Sequence, residues 1–240
     1  MRAAAAYVCA VVAAALAALA APAAGGRAAA GCPSSPAGGL TSTGTAAQLI
    51  TVEATRYATT TGALRLWRKA GGCWVAAGGP WRVRLGRNGL SDHHMEGDGT
   101  TPTGAYGLGP VIYGLAPDPG VRYPYHLLVC GDWWDENPRT AGYNTFQHVP
   151  CGVTPSFARP GDYELRLSKR AYRHFIPIRY NTDPVVPGRG SAIFLHDDWG
   201  SATHGCITIA PARLETVLRW LRPAAKPLIV IGTTGELKRS

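Results

Sequence analysis

A mainly β domain with a few short α-helices is the fold that the sequence predicts, and three observations predict it. Short runs rich in β-branched and aromatic residues recur between glycine and proline punctuation. One stretch near the C-terminus carries a clear helical period, and no internal repeat is present. The length, 240 residues, holds a leader and one domain able to bury a real core.

The elements follow in chain order. After Arg2 an apolar, alanine-rich run extends from Tyr7 to Ala21, is broken by Pro22 and is followed by small residues. This pattern reads as a signal peptide over 1–30, too short for a convincing membrane span of about 20 strongly apolar residues. Cleavage after Ala23 and cleavage after Ala30 both fit. Ala29-Ala30-Gly31-Cys32 faintly resembles a lipoprotein signal, but it lies away from the apolar run. Residues 31–46, rich in Gly, Pro, Ser and Thr, read as a flexible linker.

A single folded domain is expected over 47–234, with a tail at 235–240. Its strands are expected at Gln48 to Val52, Ala63 to Arg68, Trp81 to Leu85, Gly104 to Leu108, His126 to Cys130, Phe175 to Tyr180, Ser191 to His196 and Pro227 to Ile231. Leu214, Val217, Leu218 and Leu221 recur at i, i+3, i+4 and i+7, with Pro211 near the start and Pro223 past the end, which predicts a helix. A second helix is expected around Ser168 to His174, after an extended Tyr163 to Leu167. The segment from Pro110 to Pro160 is rich in Trp, Tyr, Asp, Asn and Pro, and so much irregular chain implies a use for it.

Composition narrows the partners. The formal charge is +9, and cleavage after Ala30 removes Arg2 and Arg27 to leave +7. Outside a cell, anionic wall and lipid polymers are the polyanions at hand, not nucleic acid; ordinary solubility accounts for the charge equally well. Oligomeric state is not legible.

Of the six cysteines, Cys9 lies in the leader, so Cys32, Cys73, Cys130, Cys151 and Cys206 remain. An odd number in an oxidising compartment leaves at least one thiol free. Four of them allow two disulfides in three pairings. The preferred bridge is Cys130 to Cys151, closing a polar, aromatic loop, with Cys32 to Cys73 by elimination.

Chemistry concentrates between Ser191 and Ile209. A strand ending at His196 leads into a polar loop, Asp197 to Thr203, and then into His204-Gly205-Cys206. A cysteine needs a base or positive field to become a nucleophile, and two histidines lie close in sequence. Gly205 permits a tight turn, so that amides of Gly205 and Cys206 face a carbonyl oxygen under attack. The bland reading is a buried cysteine beside two incidental surface histidines.

The order of His196 and then Thr203-His204-Gly205-Cys206 resembles the L,D-transpeptidase catalytic domain, the YkuD-like family. So does the upstream segment Gly97-Asp98-Gly99-Thr100-Thr101-Pro102-Thr103-Gly104-Ala105-Tyr106, similar to the family's Thr-Pro-Thr-Gly-aromatic hairpin. The likeness runs from about Gln48 to Gly232. Seven residues separate His196 from His204, about half the common family spacing, which marks a short-loop branch. Asp197 and Thr208 stand where the family often has Gly or Ser after the base and Arg two positions after the cysteine.

The resemblance implies a curved sheet or β-sandwich with Cys206 at the floor of a groove. It implies an exported enzyme of the cell wall or outer membrane face that attacks a peptidoglycan stem peptide through Cys206. The resulting thioester is transferred to an amine, without a cofactor. His196 is then the general base, with His204 next in line, supporting the sulfur. Asp197 or Asp198 either orients His196 or solvates an exposed loop. Thr203 and Tyr106 join the expected substrate contacts, and Trp133 with Trp134 forms an expected platform for glycan or stem peptide.

Three other readings remain open here. Water in place of the amine makes an L,D-carboxypeptidase. His93 and His94 with His196, His204 or Cys206 around zinc make a wall metallopeptidase. The basic charge and aromatics alone make a noncatalytic wall-binding module.

Overall fold

A computed structural model describes residue 32, residues 34–40 and residues 43–237. The expected signal peptide lies outside them. The described strands are β1 (Gln48–Ala54), β2 (Thr61–Ala70), β3 (Cys73–Arg84), β4 (Leu90–Ser91), β5 (Thr101–Pro102), β6 (Gly104–Gly107), β7 (Ile112–Gly114), β8 (Tyr125–Leu127), β9 (Asp132–Asp135), β10 (Thr145–His148), β11 (Phe175–Pro177), β12 (Phe194–Asp197), β13 (Ile207–Ile209) and β14 (Leu228–Thr233). Two helices accompany them, α1 (Pro211–Trp220) and α2 (Thr234–Leu237). The fold is therefore mainly β, as the punctuation of the sequence predicts.

Ten strands form one curled sheet in the order β6-β14-β1-β2-β3-β13-β12-β11-β7-β8. β1 pairs with β14, β12 with β13, and β7 with β8 in parallel; the other pairings are antiparallel. Strand alternation gives the sheet two differently used faces. One face carries Ile50, Leu64, Val83, Leu195, Ile207, Ile209 and Ile229 into the main core. There α1 lays down Leu214, Val217 and Leu218, followed just past its end by Leu221, all fully buried. Each contributes roughly 1.5–3 kcal/mol by leaving water. Pro211 opens this helix at a position where its missing N–H costs nothing, and Leu221 turns extended ahead of Pro223.

The opposite face carries an aromatic cluster of Tyr113, Phe175 and Phe194 with Leu128 and Leu165. Phe175 and Phe194 stack at 4.7 Å, and Tyr113 stacks on Phe175 at 5.1 Å. Cys206 packs against this second cluster.

Two local expectations are corrected between Tyr163 and His174. No α-helix forms over Ser168 to His174, and a short 3₁₀ turn at Leu165–Leu167 replaces the expected extended stretch. The backbone there serves its neighbours instead of a helix. The carbonyls of Ala171, Tyr172 and Arg173 accept the N–H groups of Asp197, Leu115 and Ala116, and the His174 N–H goes to the Asp197 carboxylate. Composition also misleads at 31–46: Ala37, Leu40 and Ala46 are buried against Leu49, Trp67, Trp74 and Val230. Beyond 234, Leu237 on α2 joins the same cluster, so the described part of the expected tail is packed.

Both preferred disulfides are formed, Cys32–Cys73 and Cys130–Cys151, and Cys206 is the free cysteine among the described residues. Cys32 is thereby occupied and has no thiol to offer a lipid. Cys130–Cys151 ties down β9 and β10, whose ribbon backs the aromatic cluster. Its sequence separation is 21 residues, so replacing both cysteines by serine is expected to cost about 3 kcal/mol. A lowered urea midpoint checks this.

Candidate active site

The site is built by a parallel pair. Leu195 pairs with Ile207 and His196 with Thr208 across β12 and β13. Leu195, Ile207 and Ile209 point to the main core, so Phe194, His196, Cys206 and Thr208 share the other face by period-two alternation. The chain passes from β12 to β13 through only nine residues, 198–206. It does so by leaning on the end of β3. Thr203 donates its N–H to the Leu85 carbonyl and accepts the Arg87 N–H, making a bridge with Gly86.

The turn before the sulfur is locked from within. The Thr203 hydroxyl donates to the Cys206 carbonyl at 2.6 Å and accepts the Gly205 N–H at 3.1 Å. Gly205 sits at φ +148°, and a Cβ there would lie 2.9 Å from both Ile193 Cδ1 and the Thr100 carbonyl oxygen. The glycine-rich segment 97–104 therefore buttresses the thiol turn. Within it the Asp98 carboxylate accepts the Thr100 N–H and hydroxyl at 2.8 Å. Gly205→Ala meets both a backbone clash and a disfavoured φ, and about 2–4 kcal/mol of stability is expected to be lost. Chemical denaturation checks it.

Cys206 and His196 line one cleft of about 470 Å³, together with Thr203, His204, Tyr172 and Trp199. The Cys206 thiol donates to the Ala192 carbonyl at 3.2 Å and accepts the Phe194 N–H at 3.4 Å. Burial pushes its pKa up to about 12, a shift the Phe194 N–H partly opposes. His196 is 4% exposed, and burial lowers its pKa to about 4, opposed in part by the main-chain carbonyls of Asp197 and Ala171. At neutral pH the resting site therefore holds a thiol and a neutral imidazole, not an ion pair. Nδ1 of His196 lies 3.0 Å from the Asp197 carbonyl oxygen. A carbonyl only accepts, so Nδ1 carries the hydrogen and Nε2 keeps its lone pair. Among the described residues no hydrogen bond joins the two side chains.

Neither aspartate orients the imidazole with its carboxylate. Asp197 is 1% exposed and accepts the His174 N–H at 2.9 Å; burial raises its pKa to about 6. Asp198 pairs with Arg84 Nε at 3.0 Å. The orienting group is the Asp197 main chain.

The remaining expected residues divide. His204 is exposed on the cleft. Thr203 lines it too, but its hydroxyl is spent inside the turn. Tyr106 does not reach the cleft: its hydroxyl donates to the Thr103 carbonyl and its ring stands edge-on to Tyr180 at 5.5 Å. Trp133 and Trp134 form no platform on this cleft. Alternation sends them to opposite sides of β9, Trp133 into the interior and Trp134, half-buried, onto a separate cavity beside Phe146. Trp133, 6% exposed, meets Phe157, while Trp134 meets Phe194 at 4.8 Å and donates Nε1 to Asn144.

The exposed aromatics on the cleft are Tyr163 and Trp199, at 53% and 49% exposure. Sequence reasoning passed over both, although Trp199 lies inside the motif segment. The zinc set is not assembled: buried His94 is held by Thr100 and Asp98, and among the described residues no three potential ligands cluster.

A family model for the L,D-transpeptidase catalytic domain matches residues 60–231, which include β3, the 97–104 segment and the whole His196–Cys206 loop. No curated protein and no solved structure matches the chain significantly. With the family model covering well over half of the sequence, the chain belongs to the L,D-transpeptidase catalytic domain family.

Proposed function

We propose that this chain is an exported cysteine acyl transferase that joins peptidoglycan stem peptides. The observation that carries the reading is that Cys206, the one cysteine outside the two disulfides among the described residues, shares a cleft with a buried, neutral histidine. Cys206 Sγ attacks the carbonyl of the L,D peptide bond ahead of the terminal D-residue as His196 Nε2 takes the thiol proton. The carbon–nitrogen bond then breaks, the imidazolium returns its proton to the leaving amine, and a thioester remains. An amine from a second stem attacks the thioester, His196 removes the amine proton, and the thiol is restored.

Because the resting groups are neutral, the proton moves with sulfur attack and not before it. The Gly205 N–H is given to Thr203, so the Cys206 N–H is the oxyanion donor in this reading, and Gly205 serves by permitting the turn. Thr203 holds that turn, and His204 borders the sulfur. Tyr163 and Trp199 take the substrate-facing place first given to Trp133 and Trp134. A location outside the cytoplasm is supported by the two disulfides and by the family. The division into a signal peptide at 1–30 and a catalytic domain is kept, with the packed segment after Cys32 counted into the domain.

The test offers the protein a tetrapeptide stem with and without a diamino acceptor. Liquid chromatography with mass spectrometry follows the products. A cross-linked dimer that grows with acceptor concentration supports transfer. Tripeptide alone at every acceptor concentration would show a carboxypeptidase, and no product at all would leave a binding module.

A further inference from the structure

Behind the nucleophile lies a strut that no catalytic motif contains. Asn144, in the loop closed by Cys130–Cys151, is 5% exposed and uses its whole side-chain amide. Its Oδ1 accepts the Ala192 N–H at 3.0 Å and Trp134 Nε1 at 3.1 Å. Its Nδ2 donates to the carbonyls of Tyr180 at 3.0 Å and Asn181 at 2.9 Å. Two donors and two acceptors are matched, and turning the amide over would face donor to donor and acceptor to acceptor.

Both ends of the strut sit in the left-handed region, Asn144 at φ +62° and Ala192 at φ +53°. Asparagine tolerates that conformation; alanine is held there at a cost of roughly 1 kcal/mol or more. The carbonyl of that strained Ala192 is the acceptor of the Cys206 thiol at 3.2 Å.

We propose that Asn144 is a positioning residue for the nucleophile: by fixing Ala192 it aims the Ala192 carbonyl at the sulfur and keeps the resting thiol protonated on one rotamer. The proposal rests on Cys206 being the nucleophile, but not on which substrate it attacks. An acceptor on the S–H favours the thiol over the thiolate, so the strut restrains the sulfur until a bound acyl donor draws the proton toward His196.

The S–H stretching band in a Raman spectrum tests it directly. In the full chain carrying Cys9→Ser, Cys206 is the one thiol outside the two disulfides. The parent is expected to show a narrow band below the frequency of the same thiol in denaturant. Asn144→Gly accepts the left-handed backbone without strain, so it removes the side chain alone. It is expected to move the band to the denatured frequency and to raise alkylation by iodoacetamide at pH 7 about tenfold. Turnover of stem peptide should fall about tenfold with little change in KM.

If near-ultraviolet circular dichroism shows Asn144→Gly unfolded, Asn144→Ser, which is too short to reach Ala192, is read in its place. A band unmoved in the folded variant overturns the proposal, as does a parent band already at the denatured frequency. If the parent turns over no stem peptide, the proposed function fails while the band and the alkylation rate still decide the strut.

Discussion

Cys206→Ala is expected to abolish stem-peptide exchange, by a factor on the order of 10⁴–10⁶, while the protein stays folded. The sulfur sits at the edge of the aromatic cluster and not at its centre, so removing it opens a small space costing about 1 kcal/mol. The turn that carries it is held by Thr203 and Gly205 and does not depend on the thiol. Loss of exchange with a thermal midpoint lowered by only about 2–4 °C is the expected pair of results.

His196→Gln has the second largest effect, with kcat/KM expected to fall about 10²–10⁴-fold at pH 7, and its signature is the pH profile. In the parent, His196 must be neutral to accept the thiol proton. Its pKa is lowered to about 4, so the competent form is present above that pH and activity is lost as pH falls through about 4. Burial pushes the thiol pKa up to about 12, so no step is expected where an ordinary cysteine ionises, near 8.5. The parent profile is therefore flat across neutral pH. Without the imidazole, hydroxide must remove the proton, and the variant's rate should climb about tenfold per pH unit until the protein denatures. Initial rates from pH 4 to 10 distinguish the two shapes.

Much of this arrangement was legible in the residues. The period of Leu214, Val217, Leu218 and Leu221 located α1 because a helix on a sheet buries one stripe. The odd cysteine left Cys206 free because an oxidising compartment pairs the rest. The proximity of His196 and Cys206 followed from a strand, a short loop and a second strand.

What stayed hidden has a common cause in long-range contact. Trp133 and Trp134 read as a platform because alternation exposes one of two neighbours, yet Phe157 and Phe194, distant in sequence, pack against them and neither Trp reaches the Cys206 cleft. The turn at 168–174 has helical composition but spends its carbonyls on β12 and the chain after β7. Residues 31–46 read as a tether because a few small apolar side chains carry little pattern, though Ala37 and Leu40 fill a gap beside Trp67 and Trp74. Asn144 gives no local signal at all, since its partners lie 10, 36, 37 and 48 residues away.

Intact-protein mass spectrometry after rapid acid quench of the protein with a tetrapeptide stem tests whether Cys206 carries the acyl group. The expected result is a population heavier by the stem less its terminal D-residue. The added mass should map to the peptide containing Cys206, be released by hydroxylamine, and be missing in Cys206→Ala. Stem-peptide turnover by Cys206→Ala, or an acyl group mapped to any other residue, would contradict it.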